Sequence, residues 1–152
     1  MDSSIPLSVE YMVGYTTLWL HMIWQVHGRQ RVFETVTIQQ MLSRLLYCIF
    51  RNRSMTLRMN AVRPEHIHLL ILQPSSQALD GLVQTLQRDV LQQLQTLEMP
   101  LPRFTWSEVY AAFSVSRSQL DELVRYFSEQ KRLHHTFSCA EEWQMLQNMH
   151  RT

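Results

Sequence analysis

The chain has 152 residues, 45% of them hydrophobic, with a formal charge of +1 and two cysteines. That length suits one domain, 1–152, with a real core, and excludes two. Two isolated cysteines, Cys48 and Cys139, exclude a disulfide framework and a cysteine metal centre, and no stretch reaches the roughly 20 apolar residues of a membrane helix. A reducing cytosol is therefore the default compartment. Tyr15 to Trp24 is apolar, but His21 interrupts it and no basic segment precedes it, so it is not read as a signal peptide. Charge is unevenly spread. Between Arg29 and Arg63 seven arginines stand against one acid, Glu34, and arginine outnumbers lysine thirteen to one overall. Guanidinium groups favour fork-like contacts to phosphate, although a solvated cationic face fits the same charge.

Residues 1–10 carry no periodic pattern and read as a loose arm. Tyr15 to Val26 predicts a strand whose continuous apolarity suits a central place in a sheet. Gly28 breaks it. Ile38, Met41, Leu42, Leu45, Leu46 and Ile49 repeat at helical spacing, which predicts a helix over about 36–52 capped by Thr35 or Thr37. Met55 to Val62 alternates apolar and polar residues, a half-buried strand with Arg58 and Asn60 on its polar side. Arg63 to Leu72 is a short apolar run bounded by Pro64 and Pro74, a second strand able to form a hairpin with the first. Leu79 to Leu97 predicts a long helix that ends before Pro100. Phe104–Trp106 and Val109–Val115 read as two short strands. Ser116 or Ser118 then caps a helix from Gln119 to His135, and 136–152 is a tail or last helix. The order β-α-β-β-α-β-α suits an α+β fold, an antiparallel sheet of ferredoxin-like or RNA-recognition-like type, with helices expected over one face and the histidine face open or helix-capped.

Two stretches carry chemistry. On a strand, His66 and His68 point to one face, and Ile67, Leu69 and Ile71 to the other. On the last helix, Tyr126 and Gln130 lie one turn apart on one side. Two imidazoles and a carboxamide can hold a divalent ion, and a phenol beside it can act as a nucleophile. Taken singly, each has an ordinary structural explanation. A histidine pair is common by chance, and Tyr126 fits a core position beside Leu123 and Phe127.

The ordered set of blocks adds to this. Trp24 with Arg29-Gln30-Arg31, Pro64-Glu65-His66-Ile67-His68-Leu69-Leu70, Phe104-Thr105-Trp106, Tyr110 to Ser116, Val124 to Gln130, His134-His135 and Glu141-Glu142 follow one another at characteristic separations. Over about residues 15–142 the chain resembles the single-tyrosine HUH transposases, the small insertion-sequence enzymes of single-stranded DNA and their repeat-associated relatives. The resemblance implies an HUH endonuclease fold. It implies a divalent metal, Mg2+ or Mn2+, on His66, His68 and Gln130, and attack on phosphorus by Tyr126 to give a 5′-phosphotyrosine. It also implies single-stranded DNA with hairpins as substrate, no nucleotide cofactor, and a homodimer with active sites shared between chains in a prokaryotic cytoplasm. Arg29, Arg31, Arg51, Arg53, Arg58 and Arg88 are the candidate phosphate contacts, and Trp24 or Tyr110 candidate stacking platforms. The apolar run from Tyr15 to Trp24 and the Met/Trp-rich tail are candidate dimer surfaces. The chain departs from the family pattern in three places. Val109-Tyr110-Ala111 stands where relatives have a glycine-tyrosine-glycine turn, Leu86 to Val90 where they carry a lysine and serines, and His134 falls four residues after Gln130, where it could add a ligand. The alternative reading is a catalytically silent or domesticated protein that binds hairpin or single-stranded nucleic acid.

Overall fold

The structure, a computed structural model, describes the backbone of residues 17–136 and the side chains of residues 17–129. The arm expected at 1–10 and the tail beyond Thr136 lie outside the described residues. Four strands, β1 (Trp19–Val26), β2 (Leu57–Val62), β3 (His66–Leu72) and β4 (Trp106–Val115), form one sheet in the order β2-β3-β1-β4. Every neighbouring pair is antiparallel. Three helices, α1 (Val36–Asn52), α2 (Leu79–Thr96) and α3 (Leu120–Thr136), connect or follow the strands. The two apolar strands β1 and β3 are the central ones, as uninterrupted hydrophobic runs require. From Trp19 on, the run read from Tyr15 to Trp24 is therefore paired along both edges within the sheet. Among the described residues no helix is long and apolar enough to cross a membrane.

The pleat divides the side chains cleanly. Met22, Trp24, Ile67, Leu69 and Ile71 face α1 and α2 and meet Leu42, Leu46, Phe50, Leu82, Leu86 and Val90 in the main core. Ile23, Leu70, Ala111 and Val115 face the other way, where Leu123, Tyr126 and Phe127 of α3 close over them. Helices thus cover both faces rather than one. The reason lies in α3, whose buried residues recur at i, i+3 and i+4 and need an apolar surface of their own. Trp24 is fully buried and packs edge-on to Trp106, with ring centroids 5.6 Å apart, so it is core and no base-stacking platform.

One local expectation narrows to a single residue, and others resolve differently. The helix cap is Thr35, whose side chain accepts from the Ile38 amide. The two short strands expected before α3 are one strand of ten residues, because Ser107 and Glu108 continue it. The alternation in β2 is broken by a register shift between Leu57 and Met59. Leu57 consequently shares the α1–α2 face with Ile71, while Met59 and Ala61 pair with Leu70 and His68 on the α3 face. Asn60 turns inward and donates through Nδ2 to the Ser43 carbonyl of α1.

The loop between β1 and α1 begins with the turn His27–Arg29, in which Gly28 has φ 68° and Arg29 φ 54°. The β2–β3 turn is held from two sides. The Val26 amide donates to the Glu65 carbonyl and the Phe33 amide to the Pro64 carbonyl, at 2.9 and 3.0 Å. Those bonds fix the residue just before the histidine pair.

Candidate active site

His66 and His68 are 2% and 0% exposed and lie on the α3 face of β3. Their Nε2 atoms stand 3.1 Å apart. Two nitrogens placed at right angles around a cation at about 2.1 Å would be about 3.0 Å apart. The pair therefore fits two adjacent positions of an octahedral site. Among the described residues no group of three or more histidine, cysteine, aspartate or glutamate side chains forms a metal site. A third donor must come from another residue type or from outside that range. Gln130 belongs to the backbone of α3, but its side chain, like that of His134, lies outside the described residues.

Both rings are engaged on their far side. Glu65 Oε1 is 3.4 Å from His66 Nδ1, and the opposite carboxylate oxygen accepts from Arg31 Nη1 at 3.3 Å. Arg31 Nε also donates to Glu34, at 3.2 Å. His68 Nδ1 shares a 3.1 Å hydrogen bond with Nε2 of His21, a fully buried residue of β1. Sequence reading treated His21 only as an interruption of an apolar run. The usable signal was that interruption itself, since a polar side chain in a central strand has to be partnered.

The structure brings Tyr126 to the same place. Its ring centroid is 5.9 Å from that of His68 and 6.3 Å from that of His21. Phe127 lies 5.8 and 5.1 Å from the same two rings and forms an apolar wall. Tyr126 is 9% exposed in this arrangement. The enclosure is produced by α3, which the turn Arg117–Gln119 joins to β4, with Gln119 accepting from the Ser116 amide through its side chain.

The arginines do not gather around this face as one patch. Arg29 and Arg31 follow β1, at the end of the sheet where His66 begins β3. Arg51 and Arg53 close α1 and Arg58 opens β2, at the opposite end. Arg53 is bound to Asp89 of α2 through two hydrogen bonds, and that pairing holds its guanidinium above the ordinary arginine range. Arg29, Arg51, Arg58 and Arg88 form no ion pair among the described residues. Tyr110 is half-buried and donates to Asp80 at 3.3 Å, which ties it to α2. A groove of about 790 Å³ lined by His27, Gln30, Leu94, Arg103 and Phe104 lies at the C-terminal end of α2, and neither His66 nor His68 lines it.

The sequence model for IS200-like transposases matches residues 14–130. Among solved structures, a candidate transposase from Deinococcus radiodurans R1 is similar at a TM-score of 0.56 and 21% identity, over 78% of this chain and 95% of that one. A REP-associated tyrosine transposase bound to a REP hairpin is similar at 0.55 and 15% identity, over 82% of this chain and 73% of that one. No curated protein matches the chain. At these identities the structural likeness establishes a shared fold, and the family match rests on sequence.

Proposed function

The chain belongs to the family of IS200-like transposases, and from that membership we propose that it cleaves and rejoins single-stranded DNA at hairpin-bearing ends. In this reading Tyr126 is the nucleophile, and His66, His68 and Gln130 hold a divalent metal, Mg2+ or Mn2+. The observation that carries the reading is the convergence of the two buried Nε2 atoms, 3.1 Å apart, beside the Tyr126 ring. Hairpin DNA as substrate is supported by the similar fold seen with a REP hairpin.

The chemistry balances without a nucleotide cofactor. Tyr126 Oη forms a bond to phosphorus as the bond from phosphorus to the 3′ oxygen breaks. The electron pair leaves with that oxygen, which takes a proton from water and becomes a free 3′-hydroxyl. The phosphate stays on the 5′ oxygen as a phosphotyrosine, and a second 3′-hydroxyl reverses the step on a new end. The phenol gives up its proton to water as the new bond to phosphorus forms. A bound divalent ion would supply Lewis-acid polarisation of the scissile phosphate. The imidazoles orient that site and Phe127 keeps bulk water from its inner side.

We propose further that the protein works in the cytoplasm as a homodimer with shared active sites. The enclosure of Tyr126 supports sharing. At 9% exposure on its own sheet, a phosphodiester reaches it only when α3 shifts, and exchange of α3 between two chains is such a shift.

The test is incubation of the protein with labelled single-stranded hairpins in Mg2+, Mn2+ or EDTA, resolved on a denaturing gel. A protein–DNA adduct is expected that needs metal and is lost in Tyr126→Phe. Hairpin binding without an adduct under any metal would replace the enzyme by a silent binder.

A further inference from the structure

His21 lies on β1, one strand away from the histidine pair, and on the same face of the sheet. The register sets this relation, since His21 pairs with Leu70 and Ile23 with His68. His21 and His68 are therefore diagonal neighbours, within reach of long side chains. His21 is 0% exposed, and its Nε2 is 3.1 Å from His68 Nδ1. A buried imidazole in a central apolar strand is costly to retain unless it is partnered, and this bond partners it.

A neutral imidazole carries one proton on two nitrogens. If His68 is to offer the Nε2 lone pair to a cation, its proton must sit on Nδ1 and needs an acceptor there. We infer that His21 is that acceptor: a positioning residue that receives the His68 Nδ1–H bond on Nε2 and holds His68 in the tautomer and orientation whose Nε2 faces His66. The inference rests on the metal-site reading above and deepens it. Glu65 lies behind His66 in a looser contact, with Oε1 3.4 Å from Nδ1. Both rings are thus braced from behind, one by a carboxylate and one by a third imidazole, while their Nε2 atoms meet in front.

The arrangement also assigns protons. With His68 donating to His21, His21 must carry its own proton on Nδ1. Without a cation, one of the two facing Nε2 atoms holds a proton to make their 3.1 Å contact. If that proton is on His68, loading a cation displaces it, and the His68–His21 pair reverses its direction of donation.

The experiment uses the full chain. Mn2+ is titrated into wild type, His66→Ala, His21→Leu and His21→Gln, and free Mn2+ is counted by electron paramagnetic resonance. Thermal melts report whether each variant folds. Wild type is expected to bind Mn2+ and His66→Ala to lose that binding. His21→Leu is expected to bind about 10–100-fold more weakly. His21→Gln, whose Oε1 can accept the same bond, should recover most of the loss. Wild-type affinity in His21→Leu would overturn the proposal. Equal loss in His21→Gln would also overturn it, because the acceptor would then not be what matters. If wild type binds Mn2+ no better than His66→Ala, the metal reading itself fails and the proposal goes with it. Should His21→Leu not fold, long-range 15N–1H spectra of Mg2+-loaded wild type decide. Protonated His68 Nδ1 with unprotonated His21 Nε2 supports the assignment, and a proton on His21 Nε2 overturns it.

Discussion

Gly28 lies at the start of the loop that carries Arg29 and Arg31. It follows β1 in the turn His27–Arg29 at φ 68°, a left-handed conformation that costs a residue with a Cβ about 1–2 kcal/mol. A Cβ there would meet nothing within 4 Å, so the cost of replacement is conformational and not steric. Gly28→Ala is therefore expected to lower stability by about 1 kcal/mol, measured by chemical denaturation. An unchanged midpoint would mean that the turn relaxes into another conformation. Arg31 shows how context redirects a side chain. It was a candidate phosphate contact, yet it donates to Glu34 and to Glu65, the carboxylate beside His66. Its position suits bracing the site more than gripping a backbone.

Elements, not single residues, set the limits of the site. β4 runs unbroken through Val109-Tyr110-Ala111, with no positive φ there among the described residues. Residues with a Cβ keep to the extended region that a glycine pair would leave easily. The strand is fastened to α2 by Tyr110, whose phenol donates to Asp80. Burial first, then the charge of Asp80 and its hydrogen bond, hold the Tyr110 phenol above the ordinary tyrosine range. The sign follows from linkage. A group with a raised folded pKa contributes stability that is intact below its unfolded value, about 10, and is lost as pH climbs through the folded value. The gap in melting temperature between wild type and Tyr110→Phe should stay constant up to about pH 9 and narrow above about pH 10. A gap that does not change with pH would remove this tether from the account.

At the scale of the molecule, the sheet is sealed on one face by α1 and α2 and, among the described residues, on the other by α3 alone. The first layer is a conventional core of leucines, valines and aromatics. The second is thinner and contains the polar chain of Glu65, His66, His68 and His21 beneath Tyr126. α3 is thus at once a packing element and the carrier of the proposed nucleophile. Sharing of sites predicts that chains carrying Tyr126→Phe and chains carrying His66→Ala, each inactive alone, regain DNA cleavage when mixed. One of the two mixed sites would then combine an intact tyrosine helix with an intact histidine pair. Cleavage that stays absent in verified mixed dimers would assign the working site to a single chain.

Period by itself carried much of this protein. The 3.6-residue repeats located α1 and α2 within a residue or two, and the two-residue repeat of β3 put His66 and His68 on one face with Ile67, Leu69 and Ile71 behind them. These are local consequences of backbone geometry, and any chain segment displays them without knowing its neighbours. The motif order likewise named the family. Three features needed the tertiary structure. The bulge that redirects Leu57 and Met59 depends on the partner strand, and the layer made by α3 depends on the sheet face left uncovered by the other helices. The His21–His68 bond joins residues 47 positions apart, and only the pairing register of β1 with β3 brings those two nitrogens together.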